Sequence, residues 1–422
     1  MNQILAGNIC YSKSVTTLAS VERGYLICKD GESAGVFAEI PEQYRGFPLT
    51  DYGDCLIIPG LCDLHIHAPQ YSYRGLGMDL ELLDWLKTYT FPEEAKFADL
   101  AHAERAYGIF ADALKRGATT RAGVFATIHP QATELLMEKL DAAGLVTYVG
   151  KLNMDRNSPD YLREETEESV KATGEWIART KGKLKNTSPI LSPRFVPTCS
   201  SELMRGLKEL QKEHGLPVQS HLSENHSEIA WVRELHPESG GYGQVYNSFG
   251  LFGGESTPTI MAHCVWSKGS EEALLRDNGV FVAHCPQSNT NLASGIAPVR
   301  RFLQRGIRVG LGTDVAGGCH ASIFRAMSDA IQASKLYWRL IDQNDTPLTV
   351  PEAFYLGTLG GGAFFGKVGS FEPGYEFDAV VIDDTDLATI RTLSIEDRLA
   401  RIIYLSEDSQ IRDKYVRGYK IQ

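Results

Sequence analysis

The chain has 422 residues, a formal net charge of -11 and 43% hydrophobic residues. That length suits a (β/α)8 barrel with a smaller module and can bury its core without disulfides or a structural metal. The acidic balance, with no basic stripe, argues against a nucleic acid partner, and no apolar run reaches the roughly 18 residues that a membrane span needs.

The N-terminus, Met1 to Asn8, has no basic segment leading into an apolar stretch, so no signal peptide is expected. Eight cysteines are scattered through mostly apolar segments and include no Cys-x-x-Cys pair. They read as small core side chains in a reducing compartment, which points to the cytoplasm.

Residues 1–56 carry short β-rich runs, and Asp30-Gly31 marks a hairpin or longer turn between Gly24–Cys28 and Val36-Phe37. From 57 to 366, apolar β-type runs alternate with helical stretches, the pattern of a parallel α/β fold. Eight strands are predicted near 57–67, 118–126, 146–154, 189–196, 216–222, 258–265, 280–285 and 307–313. Helices are predicted between them, for example over Ala101–Arg116 and over Ser201–His214, the latter ended by Gly215. From 367 to 422 the chain turns β-like again at Gly374–Ile382. It then runs through a helix opened by Ser394 and Asp397 and closes with a strand over Lys414–Ile421. The expected fold is therefore α/β: a TIM-like barrel with a small β-sandwich domain built from the N- and C-terminal segments.

Pro59 to His67 carries the strongest chemical signal. Side chains alternate along a strand, so His65 and His67 share a face and can share a metal, at the strand end where such barrels keep their active sites. Later strands end in His221 and Glu224, in His263, and in Asp314. Nitrogen and carboxylate ligands suit zinc, with iron or manganese as other occupants. His102, His129, His214, His226, His236 and His320 read as structural.

With these motifs the chain resembles the amidohydrolase superfamily, and within it the guanine deaminases, over nearly its whole length. The resemblance rests on Asp63–Tyr71, Leu83–Pro92, Pro193-Arg194-Phe195, Ser220–Asn225 and Leu311–Gly318, and His284 recurs among such deaminases in a supporting or structural place. It implies one zinc per chain, held by His65, His67, His221 and Asp314, with Glu224, His263 and Asp314 in catalytic roles. The implied reaction converts guanine to xanthine and ammonia. Zinc lowers the pKa of a water from about 15.7 to about 7, giving a hydroxide that attacks C2 while Glu224 shuttles protons. Strand four has no lysine to bridge a second metal, and Lys151 on strand three is the only near candidate, so a single metal is expected.

Gln70 and Arg194 are expected to read the purine edge, Arg194 as a donor to the C6 oxygen, with Phe195 as a stacking face. Trp85 reads either as a pocket wall or as a core tryptophan. The resemblance also implies a homodimer. Deamination of an adenine derivative, cytosine or a triazine is the alternative activity. A non-catalytic barrel is disfavoured because every ligand is present.

Overall fold

The computed structural model describes residues 1–254 and 257–422. Its strands are β1 Gln3–Ser12, β2 Leu18–Lys29, β3 Glu32–Phe37, β4 Leu49–Pro59, β5 Leu61–His67, β6 Thr119–Phe125, β7 Val146–Gly150, β8 Leu152–Asn153, β9 Thr187–Pro189, β10 Ser192–Pro193, β11 Val218–Leu222, β12 Thr259–His263, β13 Phe281–His284, β14 Arg308–Leu311, β15 Ala379–Ile382, β16 Ile411–Val416 and β17 Tyr419–Lys420.

The expected strand over 57–67 is two strands. Residues up to Pro59 pair with β15 in the terminal sheet, and the run from Leu61 pairs with β6. The break falls at Gly60, where a Cβ would lie 2.2 Å from Thr120 Oγ1, so only glycine lets the chain pass from one sheet to the other. The run over 189–196 is also shorter than expected. Pro189 and Pro193 lack amide hydrogens, and only Thr187–Pro189 and Ser192–Pro193 are strand.

β5, β6, β7 and β9 form one parallel sheet and β11 to β14 another. Leu191 bridges to Val218 on one side. On the other, the Asp314 amide donates to the His65 carbonyl at 2.8 Å and the His67 amide to the Val315 carbonyl at 3.2 Å. Helices separate the strands, among them Leu100–Arg116, capped by Asp99, and Ser201–His214, ended by Gly215 in the left-handed region.

The terminal segments depart from the expected sandwich. Among the described residues they form one seven-stranded sheet in the order β17-β16-β15-β4-β1-β2-β3. Its own core gathers Leu5, Leu26, Ile57, Phe371, Phe377 and Val381. β1 is long and pairs with both β2 and β4, and its register with β2 shifts between Gly7 and Ile9. Asp30 and Gly31 both have positive φ and turn β2 into β3 as a tight hairpin. The expected C-terminal strand over 414–421 is likewise a hairpin, turning at Arg417 and Gly418, both with positive φ. In the stretch from Gly374, only Ala379–Ile382 is strand.

Buried charge ties this sheet to the parallel strands. Arg121 on β6 meets Asp378 at 2.6 Å, and both side chains are essentially inaccessible. Lys414 on β16 donates to the carbonyls of Leu114, Gly117 and Thr119 at 2.7, 2.7 and 3.1 Å. No helix of the described residues is long and apolar enough to cross a membrane.

Candidate metal centre and adjoining pocket

Alternation along β5 aims His65 and His67 at one point, with their Nε2 atoms 3.2 Å apart. β11 contributes His221, whose Nε2 lies 3.3 Å from that of His67. Asp314 follows β14, and its Oδ1 lies 3.1 Å from His65 Nε2 and 3.4 Å from His67 Nε2. Ligands about 2.0–2.1 Å from a tetrahedral metal stand roughly 3.3–3.4 Å from one another, so these separations fit such an ion. Burial pushes His65, His67 and His221 below their ordinary range, leaving the neutral rings that ligate. Burial works against the Asp314 charge, but the facing His65 and His263 outweigh it and hold the carboxylate ionised. Four acceptor groups converging this closely repel one another unless a cation sits among them.

His221 donates Nδ1–H to the Arg194 carbonyl at 2.6 Å, which leaves its Nε2 lone pair for the ion. His263, at the end of β12, donates Nδ1–H to Asn289 Oδ1 at 2.9 Å, so its Nε2 faces Glu224 Oε2 at 3.3 Å and Asp314 Oδ2 at 3.7 Å. Glu224 also accepts from Ser294 Oγ at 3.0 Å. Burial pushes Glu224 up to about 7; His263 opposes the rise, and the Glu228 and Asp314 carboxylates add to it. Burial disfavours a charged His263, yet Glu224 and Asp314 lift it above its ordinary value. The two groups thus face each other poised to share a proton.

Two neighbouring residues have partners of their own. Lys151 points away from the centre: it is buried against Glu164 at 2.6 Å and cannot bridge two metals. Cys285 lies within ligand range of His263 and Asp314, but burial drives its thiol well above the usual range, and its Sγ donates to the Ala283 carbonyl at 3.4 Å. His284 is buried and held down to about 3, mainly by burial, as fits a supporting ring.

The same pocket is lined by Gln70, Trp85, Arg194 and Phe195. Gln70 sits on the short helix Ala68–Tyr73 that continues from His67. Trp85 satisfies both of its readings, since it lines the pocket, packs on Tyr73 and donates to the Leu76 carbonyl at 3.1 Å. Arg194, expected as a donor to the C6 oxygen, also has a carboxylate partner within the protein. Its Nη1 meets Glu94 Oε2 at 2.5 Å and its Nη2 meets Oε1 at 3.2 Å, while Gln70 Nε2 donates to Oε1 at 2.9 Å.

Glu94, Ser294, Asn289 and Phe125 escaped the sequence reading. Phe125 stacks on His67 with ring centroids 4.7 Å apart, walling one side of the centre. Its place at the end of β6 was the only signal for it. Glu94 reads in sequence as a solvated acid in the first turn of a helix, and nothing there marks its partner at Arg194.

Parallel strands alternating with helices, with imidazoles and a carboxylate gathered at the strand ends, define a metal-dependent hydrolase. The chain belongs to the amidohydrolase family, whose profile matches residues 56–420. It is 41% identical over 382 residues to a guanine deaminase of Dictyostelium discoideum, covering 89% of this chain and 84% of that one. It is 35% identical over 420 residues to the guanine deaminase of Escherichia coli (strain K12), covering 96% and 92%. Among solved structures, guanine deaminase from C. acetobutylicum, with guanine bound in its active site, superposes with a TM-score of 0.97 at 47% identity over 100% of both chains.

Proposed function

We propose that this chain is a guanine deaminase that hydrolyses guanine to xanthine and ammonia. The observation that carries the reading is that one pocket joins the ligand cluster to Gln70, Arg194 and Phe195, in a chain superposing end to end on a guanine-bound deaminase. His65, His67, His221 and Asp314 would hold one zinc. When bound, zinc at this centre acidifies a water for attack at C2 of guanine.

The chain's own residues supply the rest. Glu224 takes the proton of the attacking water and delivers it to N3, the ring nitrogen beside C2 with a free lone pair. Glu224 then takes the remaining proton of the hydroxyl added at C2 and passes it to the C2 amine, which leaves as ammonia as the C2 carbonyl forms. His263 and Asp314 hold the water on the face of the ring toward Glu224. Phe195 packs against the purine and Trp85 closes the pocket. Arg194 and Gln70 face the edge that bears the C6 oxygen.

The parallel strands are read as a closed eight-stranded barrel. The Leu191–Val218 bridge and the hydrogen bonds from Asp314 to His65 and from His67 to Val315 support the closure. The domains follow: a small one from the terminal segments, 1–59 and 367–422, and a barrel that begins at Leu61 rather than 57. Homodimeric assembly rests on the resemblance, and a cytoplasmic location on the cysteine usage.

Release of ammonia from guanine, measured against adenine, cytosine and a triazine, tests the activity. Faster release from any of the others would retain the chemistry and replace the substrate. For the metal, elemental analysis should give one equivalent of zinc per chain, and two at full activity would refute a single ion. His65→Ala should lose zinc and turnover together, because three remaining ligands bind a divalent ion far more weakly. Chelation should silence the wild type yet leave its circular dichroism largely unchanged, since a core this size does not need the ion.

A further inference from the structure

One buried ion pair joins the pocket wall at Arg194 to Glu94 behind it and is used by neither the metal centre nor the proton carrier. Glu94 is 1% exposed and its carboxylate is fully engaged: a two-pronged contact with Arg194, and Gln70 Nε2 at 2.9 Å. Gln70 Oε1 in turn accepts from the Ala316 amide at 3.0 Å. That amide group has one orientation. Turned over, it would set its NH2 against the Ala316 N–H and its oxygen against the Glu94 carboxylate. The helix bearing Glu94 is itself shaped for this. Pro92 cannot donate back along the helix, and the turn before it, Leu86–Thr90, is wound wider than an α-helix.

The charge is as telling as the geometry. A lone guanidinium in a buried pocket favours an anion, whereas guanine presents a neutral lactam edge. Pairing with Glu94 cancels the Arg194 charge while leaving spare N–H groups on both Arg194 and Gln70.

We propose that Glu94 is a positioning and specificity-determining residue. It holds Arg194 and Gln70 in the orientation that reads the C6 oxygen, and it keeps that surface neutral, so that neutral guanine is preferred over anionic purines. The inference rests on the reading of Arg194 and Gln70 as edge readers, and the test separates the two.

The substrates are guanine and 2-aminopurine, which keeps the C2 amine and lacks the C6 oxygen. Glu94→Gln replaces an acceptor with an amide that must turn donors toward donors. Its preference for guanine over 2-aminopurine, as a ratio of kcat/KM, should fall roughly tenfold or more, with zinc content unchanged. Inhibition by the xanthine anion should become tighter in the same variant, a gain that a merely structural lesion does not produce. Arg194→Lys keeps the charge but loses the planar fork, and it should lower the same ratio.

If Arg194→Lys lowers the ratio and Glu94→Gln leaves it unchanged, the inference fails and the reading of the edge stands. An Arg194→Lys ratio equal to wild type overturns the reading and the inference with it. Xanthine inhibition no tighter in Glu94→Gln overturns the role assigned to charge. Should Glu94→Gln not fold, Glu94→Asp carries the test, because it keeps the charge and draws it back by one methylene. Its ratio should lie between wild type and Arg194→Lys, and a wild-type ratio would overturn the proposal.

Discussion

Glu224→Gln is expected to keep its zinc and lose turnover, with kcat falling by about 10²–10⁴-fold or more, the usual range for a positioned proton carrier. The amide fills the same space and can still accept from Ser294, so shape and the Ser294 contact survive while the titrating group disappears. The pH profile gives a second, independent reading. Glu224 must be ionised to take a proton from water, so kcat/KM should rise with pH as the group loses its own. Burial holds that group at about 7 without an ion, and a cation nearby can only draw it down. The acid limb should therefore lie at or below about pH 7 and be absent from Glu224→Gln. A variant that retains zinc and near-normal kcat would assign proton transfer elsewhere, with His263 the first group to test.

Arg121→Leu should cost about 3–5 kcal/mol of folding stability, the range found when one partner of a buried ion pair is removed. Arg121 Nε and Nη2 both reach Asp378, at 2.6 and 3.0 Å, and Nη2 also donates to Glu376 at 2.9 Å. Leucine fills part of the space and leaves the Asp378 carboxylate buried without its counter-charge. Denaturant unfolding of Arg121→Leu and of Arg121→Leu/Asp378→Leu together would isolate the effect. The double variant should recover much of the loss, because replacing both charges by apolar groups removes the stranded one. Equal losses in single and double variants would show that the cost lies in the lost packing and hydrogen bonds of Arg121 rather than in a stranded carboxylate.

The clustered histidines and Asp314 were legible because the signal is local and periodic. Alternation on one strand puts His65 beside His67, and strand ends on one side of a parallel fold collect His221, His263 and Asp314. What was illegible is of two kinds. Strand limits at Gly60 and in the final hairpin depend on which sheet a residue pairs with, and an apolar run such as Leu56–Leu61 reads the same in either. Arg194 was found, but its partner was not. Glu94 lies 100 residues away on a helix whose place in the pocket follows from packing rather than from any spacing. Ser294 and Asn289 were missed for the same reason, as uncharged side chains whose roles exist only through contacts with Glu224 and His263.

The order of strands in the terminal sheet bears on how the chain is made. β4 lies between β1 and β15, with Val380 set against Ile58 and Val381 against Ile57. A ribosome delivering roughly 5–20 residues per second must synthesise every intervening strand and helix before β15 emerges, which takes tens of seconds. Through that interval the nascent chain carries the apolar edge Leu56–Pro59 without its neighbour, the kind of edge that recruits strands from other chains. Shielding by a chaperone, or early burial of that edge against the growing barrel, is what this topology demands of the cell.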